Sequence, residues 1–253
     1  MRSFTTWDGI AIAYQEWGEQ ASLPPVVLHH GFVADANANW VVPGLVPALV
    51  AAGRHVVAPD ARGHGRSEKP HDPRFYGEQR MARDLAMLLE VIGAGHIDLV
   101  GYSMGAVVAL IFASDDQRVR RLVVGGVGSG VIECGGVDRR AVSNESIIEA
   151  LSAADPAALG ESGAGAFRAL ADALGADRGA LVAQARSVFR GEIALDRISA
   201  PTLVLAGEAD PLAVRPQVLA DAIPDARLQV LSGDHAGAVL DARFTRSIVE
   251  FLA

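Results

Sequence analysis

Three residues with the chemistry of a carbonyl-attacking site lie in short glycine-containing segments. Ser103 is at the centre of GYSMG, Asp210 is in GEADP and His235 is in GDHAG. A serine hydroxyl is a poor nucleophile until a base removes its proton. Histidine can be that base when a carboxylate orients its ring. The alternative for Ser103 is structural, a small residue in a tight turn between a strand and a helix.

The flanks of Ser103 favour the chemical interpretation. The segment DLVGYSMGAVVAL predicts a buried strand, a sharp turn and an apolar helix. Gly101 and Gly105 would allow the strand and the helix to approach closely around a strained residue 103. We therefore expect Ser103 to be an exposed nucleophile at the end of a strand.

The base and the orienting acid for Ser103 are predicted from their positions at the ends of predicted strands. Of seven histidines, His235 directly follows the last predicted strand, and sites in parallel sheets form at the carboxyl ends of strands. Asp210 follows the preceding strand, and its alternative role is to cap the helix that Pro211 would begin. Glu208 and Asp234 are weaker candidates for the orienting acid.

Attack on a carbonyl also requires donors for the oxyanion that forms. The strand VVLHHGF ends at Gly31, whose small size lets the backbone pass near a substrate. The backbone N–H groups of Phe32 and Met104 are the expected donors. The second would lie at a helix start, where N–H groups have no helical partner.

Composition limits the class of protein around these residues. The chain has 253 residues, half of them hydrophobic, and a net charge of −8, which favours one sizeable globular domain and disfavours a nucleic-acid surface. Cys134 is the single cysteine, so no intramolecular disulfide can form. The N-terminal segment does not resemble a signal peptide, and no uninterrupted apolar run could span a bilayer. We expect a cytoplasmic protein with no membrane partner.

Strand and helix patterns predict an α/β fold. A hairpin opens the chain, and apolar strands then alternate with helices, which indicates a parallel sheet covered on both faces. The alternation lapses over residues 127–198, which we interpret as a helical cap inserted into a core formed by residues 1–126 and 199–253. Helices are expected within the cap near residues 143–153, 164–174 and 177–190.

Taken together, these segments resemble the α/β-hydrolase fold family. The resemblance covers nearly all of the chain outside the cap and rests on HHGF at 29–32, DARGHGRS at 60–67, GYSMG at 101–105, GEADP at 207–211 and GDHAG at 233–237. It implies a mostly parallel eight-stranded sheet, whose antiparallel member comes from the first hairpin. The segment 60–67 resembles the family's structural loop.

The resemblance also implies roles for individual residues. Ser103 would be the nucleophile, His235 the base and Asp210 the acid, with Phe32 and Met104 supplying the oxyanion hole. A serine at position 103 departs from the epoxide hydrolase and haloalkane dehalogenase branches, which attack with a carboxylate.

The expected function is a serine hydrolase that cleaves small uncharged carboxylic esters through an acyl-enzyme. No metal set or dinucleotide motif is apparent, so no cofactor is expected. An uncharged substrate is expected because no Lys/Arg cluster is predicted near the site. Alternatives are cleavage of a carbon–carbon bond, a lactone or an amide by the same residues, and a small-molecule binding protein without turnover. Oligomeric state and natural substrate are left open.

Overall fold

The computed structural model describes residues 1–19, 22–155 and 162–253. Within these ranges, eight strands form one sheet in the order β1-β2-β4-β3-β5-β6-β7-β8. Strand β2 is antiparallel to both of its neighbours, and the remaining pairs are parallel. This confirms the expected mostly parallel sheet with its antiparallel member from the first hairpin. The strands are β1 Arg2–Thr5, β2 Ala11–Trp17, β3 Val26–His29, β4 Val56–Pro59, β5 Ile97–Tyr102, β6 Val119–Gly125, β7 Thr202–Gly207 and β8 Ala226–Leu231.

The helices follow the predicted alternation, with one split and some additions. The last helical segment of the chain is broken at Asp241, whose carboxylate accepts a hydrogen bond from the Arg243 N–H at 2.8 Å and so begins a new helix. A one-turn π-type helix at Asn37–Val41 and a short α-helix after β6 were not expected. The α-helices are α1 Leu45–Ala51, α2 Glu78–Ile92, α3 Met104–Asp115, α4 Gly130–Glu133, α5 Asn144–Ser152, α6 Gly163–Ala173, α7 Arg178–Arg186, α8 Pro216–Asp221, α9 Gly237–Leu240 and α10 Ala242–Leu252.

The sheet is buried on both faces because successive strand residues point to opposite sides. On β5, Leu99 packs with α2 and α3, whereas Val100 packs with α1 and α10. This double burial explains why the central strands are continuous apolar runs. It also fixes the position of the carboxyl end of β5, where Ser103 follows.

Helices α5, α6 and α7 lie in the long connection between β6 and β7 and share a small apolar cluster. Ile147, Leu151 and Leu181 are buried there together with Val33 from the loop after β3. The cluster therefore joins these helices to the carboxyl edge of the sheet. The limits of the cap at residues 127 and 198 stay a prediction. In the described ranges, no helix has both the length and the apolar character needed to cross a membrane.

Candidate active site

Ser103 lies in a strained turn between β5 and α3. Its φ of 54° and ψ of −116° are unfavourable for a residue with a side chain. The turn is held by a hydrogen bond from the Ser103 N–H to the Gly125 carbonyl at 2.8 Å. Close packing is possible because residue 105 is glycine: a Cβ there would lie 2.0 Å from the His29 carbonyl oxygen. The predicted strand, turn and helix are thus present.

The structure brings His235 and Asp210 together at the carboxyl ends of β8 and β7. The Nδ1 of His235 lies 2.8 Å from Oδ2 of Asp210. The other carboxylate oxygen of Asp210 accepts a hydrogen bond from the Leu212 N–H at 2.8 Å. Both oxygens are therefore engaged, which fixes the carboxylate and directs the His235 Nδ1–H toward it. The Nε2 atom is left free to accept a proton.

The two weaker acid candidates occupy other positions. Glu208 is exposed. Asp234 accepts a hydrogen bond from the Gly237 N–H at 2.8 Å and thereby begins the short helix α9. The carboxylate that contacts the His235 ring is that of Asp210.

Ser103 and His235 each approach one of two adjacent glycines at the end of β6. The Ser103 backbone is bonded to Gly125, and a Cβ on Gly126 would lie 2.9 Å from Cε1 of His235. Among the described residues, the Ser103 hydroxyl has no hydrogen-bond partner, and its residue is 7% exposed. Catalytic hydrogen bonds of this kind are often loose before substrate binds.

Sequence reasoning missed Tyr102, the residue before the serine. Its hydroxyl donates a hydrogen bond to the His235 carbonyl at 2.6 Å, and the two rings lie 5.2 Å apart. Burial raises the pKa of Tyr102, which keeps the hydroxyl protonated as a donor. Tyr102 therefore holds the histidine loop against the end of β5. No local pattern could have revealed this contact across the sheet.

The loop after β3 presents the expected oxyanion donors. In the described part of the chain, neither the Phe32 N–H nor the Met104 N–H donates a hydrogen bond to another residue. The preceding N–H, that of Gly31, donates to Oδ1 of Asn39 at 2.8 Å. A Cβ on Gly31 would lie 3.4 Å from Cβ of Ser103. Both free N–H groups thus flank the serine.

Three buried histidines, His29, His30 and His64, lie next to the loop after β3. His30 accepts a hydrogen bond from the Ala61 N–H through Nε2 and donates through Nδ1 to the Gly31 carbonyl, both at 2.8 Å. Burial lowers the pKa of His29 and of His64 to about 3, and it also lowers that of His30. The cluster is therefore neutral at physiological pH. Sequence analysis assigned no role to His30.

A cavity that is partly open to solvent lies between Ser103 and helices α5, α6 and α7. Its wall is mostly apolar but includes an arginine, Arg139, in the loop after α4. The sequence led us to expect no Lys/Arg cluster near the site, and it gave no signal that would single out this one arginine. The lining residues are Phe32, Glu78, Ser103, Met104, Val137, Asp138, Arg139, Val142, Asn144, Ile147, Phe167, Gln184, Ala185, Val188 and Leu212.

Within residues 1–19, 22–155 and 162–253, no group of three or more histidine, cysteine, aspartate or glutamate side chains is arranged to hold a metal ion.

Comparison with known proteins agrees with this architecture. The family model of the alpha/beta hydrolase fold matches residues 24–130. Epoxide hydrolase A of Mycobacterium tuberculosis is 41% identical over 101 residues, which is 40% of this chain and 30% of that protein. Non-heme chloroperoxidase of Streptomyces lividans is 37% identical over 132 residues, 49% of this chain and 44% of that protein. The matched region thus spans less than half of the length of these curated relatives.

Likeness to a solved structure extends over the whole chain. A hydrolase from Pseudomonas aeruginosa PA01 superimposes with a TM-score of 0.80 at 26% sequence identity, covering 100% of this chain and 98% of that one. The chain therefore has the α/β-hydrolase fold.

Proposed function

We propose that this protein is a serine hydrolase that cleaves carboxylic esters through an acyl-enzyme on Ser103. The main support is the arrangement at three strand ends: a strained serine after β5 and a histidine after β8 that is bonded to a buried aspartate after β7. A merely structural turn has no need of the histidine–aspartate pair at the same edge. This combination is what nucleophilic catalysis by serine requires.

In the proposed reaction, Oγ of Ser103 attacks the ester carbonyl carbon while Nε2 of His235 removes the hydroxyl proton. Asp210 keeps the imidazole in the tautomer that can accept this proton and stabilises the imidazolium that forms. The imidazolium then returns the proton to the leaving alcohol as the carbon–oxygen bond breaks. His235 next removes a proton from water, and the water oxygen attacks the acyl-enzyme carbonyl. The imidazolium then gives this proton to Oγ of Ser103 as the bond from the acyl carbon to Oγ breaks, which releases the acid and the free serine.

The oxyanion of each tetrahedral intermediate would be held by the Phe32 and Met104 N–H groups. Both are free of other partners in the described structure, and the second lies at the start of α3. The positive end of the helix dipole adds to the stabilisation of negative charge there.

Ester hydrolysis is preferred over two other activities. Epoxide opening in this family uses a carboxylate nucleophile, and position 103 is a serine. Cleavage of a carbon–carbon bond, a lactone or an amide would use the same three residues and remains an alternative. The proposed ester substrates are those that fit the cavity beside Ser103, and a cytoplasmic location stays part of the proposal.

The test is a substrate panel of p-nitrophenyl esters, a lactone, an anilide, a vinylogous diketone and styrene oxide. We expect the highest kcat/KM with an ester and a loss of about a millionfold in Ser103→Ala, with thermal unfolding unchanged. Faster cleavage of the diketone would replace the esterase proposal by carbon–carbon hydrolysis. Epoxide opening that survives Ser103→Ala would overturn the nucleophile as well.

A further inference from the structure

Arg139 is the cationic group on the wall of the cavity that contains Ser103. It lies in the loop between α4 and α5, and its side chain is partly shielded from solvent. Within the part of the chain that the structure describes, its guanidinium makes one long hydrogen bond, from an Nη atom to the Phe189 carbonyl at 3.4 Å. Five N–H donors belong to this group, so most of its capacity is unused.

The neighbouring arginine in the sequence is paired very differently. Arg140 forms ion pairs with Asp138 and with Glu133, the second at 2.7 Å. Arg215 also pairs with Glu133, at 2.5 Å. No carboxylate of the described residues lies within 4 Å of the Arg139 guanidinium. Asp138 and Glu133 therefore pair with other arginines and not with Arg139.

Glu78 is the closest alternative partner, since it lines the same cavity and its charge acts on Arg139. Its Oε2 atom, however, accepts a hydrogen bond from the Phe189 N–H at 2.6 Å. Burial raises the pKa of Glu78, which favours the neutral carboxyl, and burial also lowers the pKa of Arg139. The two side chains do not form a contact ion pair.

A guanidinium that is partly buried without a counter-ion is poorly stabilised. An anion in the cavity would supply the missing negative charge and accept hydrogen bonds from the guanidinium. We propose that Arg139 binds a carboxylate carried by the ester substrate, so that the preferred substrates are half-esters or esters of hydroxy acids. This inference rests on the proposed ester hydrolysis at Ser103. The planar fork of a guanidinium matches the two oxygens of a carboxylate, which would orient the ester toward the serine.

The experiment compares substrates that differ only in charge. Monoethyl esters of succinic, glutaric and adipic acid place the carboxylate on the acyl side, and their primary amides are neutral controls of the same shape. Acetate esters of glycolic, 3-hydroxypropionic and 4-hydroxybutyric acid, with the corresponding amides, place it on the alcohol side. Product acids are quantified by chromatography. We expect at least one acid to exceed its amide in kcat/KM by tenfold or more.

Variants then assign the preference to one side chain. Arg139→Gln should lower kcat/KM for that acid by tenfold or more and change the value for its amide by less than threefold. Arg139→Lys should restore part of the preference. Arg190→Gln is the matched control, because Arg190 is an exposed arginine close to Arg139 that does not line the cavity. It should leave both values unchanged.

The outcomes separate this inference from the proposed function. If every amide is hydrolysed as fast as its acid by the unaltered protein, Arg139 does not select an anion, although ester hydrolysis stands. If Arg139→Gln slows acid and amide equally and lowers the unfolding temperature, the side chain is structural and the inference fails. If no ester in either series or in the p-nitrophenyl panel is cleaved, the proposed function itself is wrong.

Discussion

The candidate catalytic residues follow strands β5, β7 and β8 of the sheet, whereas Ile147, Phe167 and Gln184 face the same cavity from helices α5, α6 and α7. The sheet side is fixed by backbone: a hydrogen-bonded turn, free N–H groups and a close strand–helix contact. The helix side is formed by residues of α5, α6 and α7, such as Ile147, Phe167 and Gln184. We therefore expect the rate of the chemical step to depend on the sheet side of the cavity and the substrate preference to depend on the helix side.

The largest effect on this comparison is expected from Asp210→Asn on the sheet side. An asparagine would accept a weaker hydrogen bond from the His235 Nδ1–H than the carboxylate does. It would therefore favour the imidazole tautomer with its proton on Nε2, which cannot accept the proton of Ser103. The corresponding change in serine proteases lowers kcat about 10⁴-fold, and we expect a loss of that order here. The measurement is steady-state ester hydrolysis. Asp234→Asn, which keeps the bond that begins α9, is the control, and a similar loss in both variants would contradict the assignment.

The second effect concerns stability in acid. The unfolded chain protonates its histidines below about pH 6.5, whereas His29 and His64 remain neutral in the fold until about pH 3. The free energy of unfolding therefore decreases as pH falls through this window, by up to about 1.4 kcal/mol per pH unit for each such histidine. Denaturant unfolding between pH 7 and pH 4 measures the slope.

Variants assign that slope to the buried cluster. His64→Gln should make the pH dependence shallower than in the unaltered protein, while the exposed His96→Gln should not. An identical slope in all three proteins would show that protonation of the cluster does not limit acid stability.

A smaller effect is expected from Tyr102→Phe. The change removes the 2.6 Å hydrogen bond to the His235 carbonyl and loosens the histidine loop. Since such a bond contributes about 1 kcal/mol, kcat/KM should fall by about tenfold or less. Tyr76→Phe loses a hydroxyl–carbonyl bond of the same length, to Pro70, and should leave kcat/KM unchanged. An equal decrease in both would assign the effect to general stability.

The smallest effect is expected on the helix side, from Phe167→Ala. The ring of Phe167 lies 6.0 Å from that of Phe32 and lines the cavity, so its removal enlarges the space for the acyl chain. The ratio of kcat/KM for longer to shorter p-nitrophenyl esters should rise several-fold, while kcat for the best substrate changes by less than about threefold. Leu170→Ala, at an exposed position of the same helix, should leave the ratio unchanged. A large fall in kcat with an unchanged ratio would contradict the assignment of substrate preference to the helix side and of the chemical step to the sheet side.

Sequence could predict much of the sheet side because its residues carry local signals. The glycines around Ser103, the apolar strands and the positions after β7 and β8 are readable from short segments. Tyr102 and Arg139 could not be found in this way. The contact of Tyr102 reaches from the end of β5 past β6 and β7 to the loop after β8, and the position of Arg139 depends on the path of a loop without periodic pattern.

The central claim is that Ser103 forms the covalent intermediate. The most direct test is to treat the protein with a fluorophosphonate, which reacts with activated serines, and to locate the adduct by intact mass and peptide mapping. The account predicts one adduct per chain on Ser103, none in Ser103→Ala, and much slower labelling in Asp210→Asn. An adduct on another residue, or ester hydrolysis that continues after complete labelling of Ser103, would contradict it.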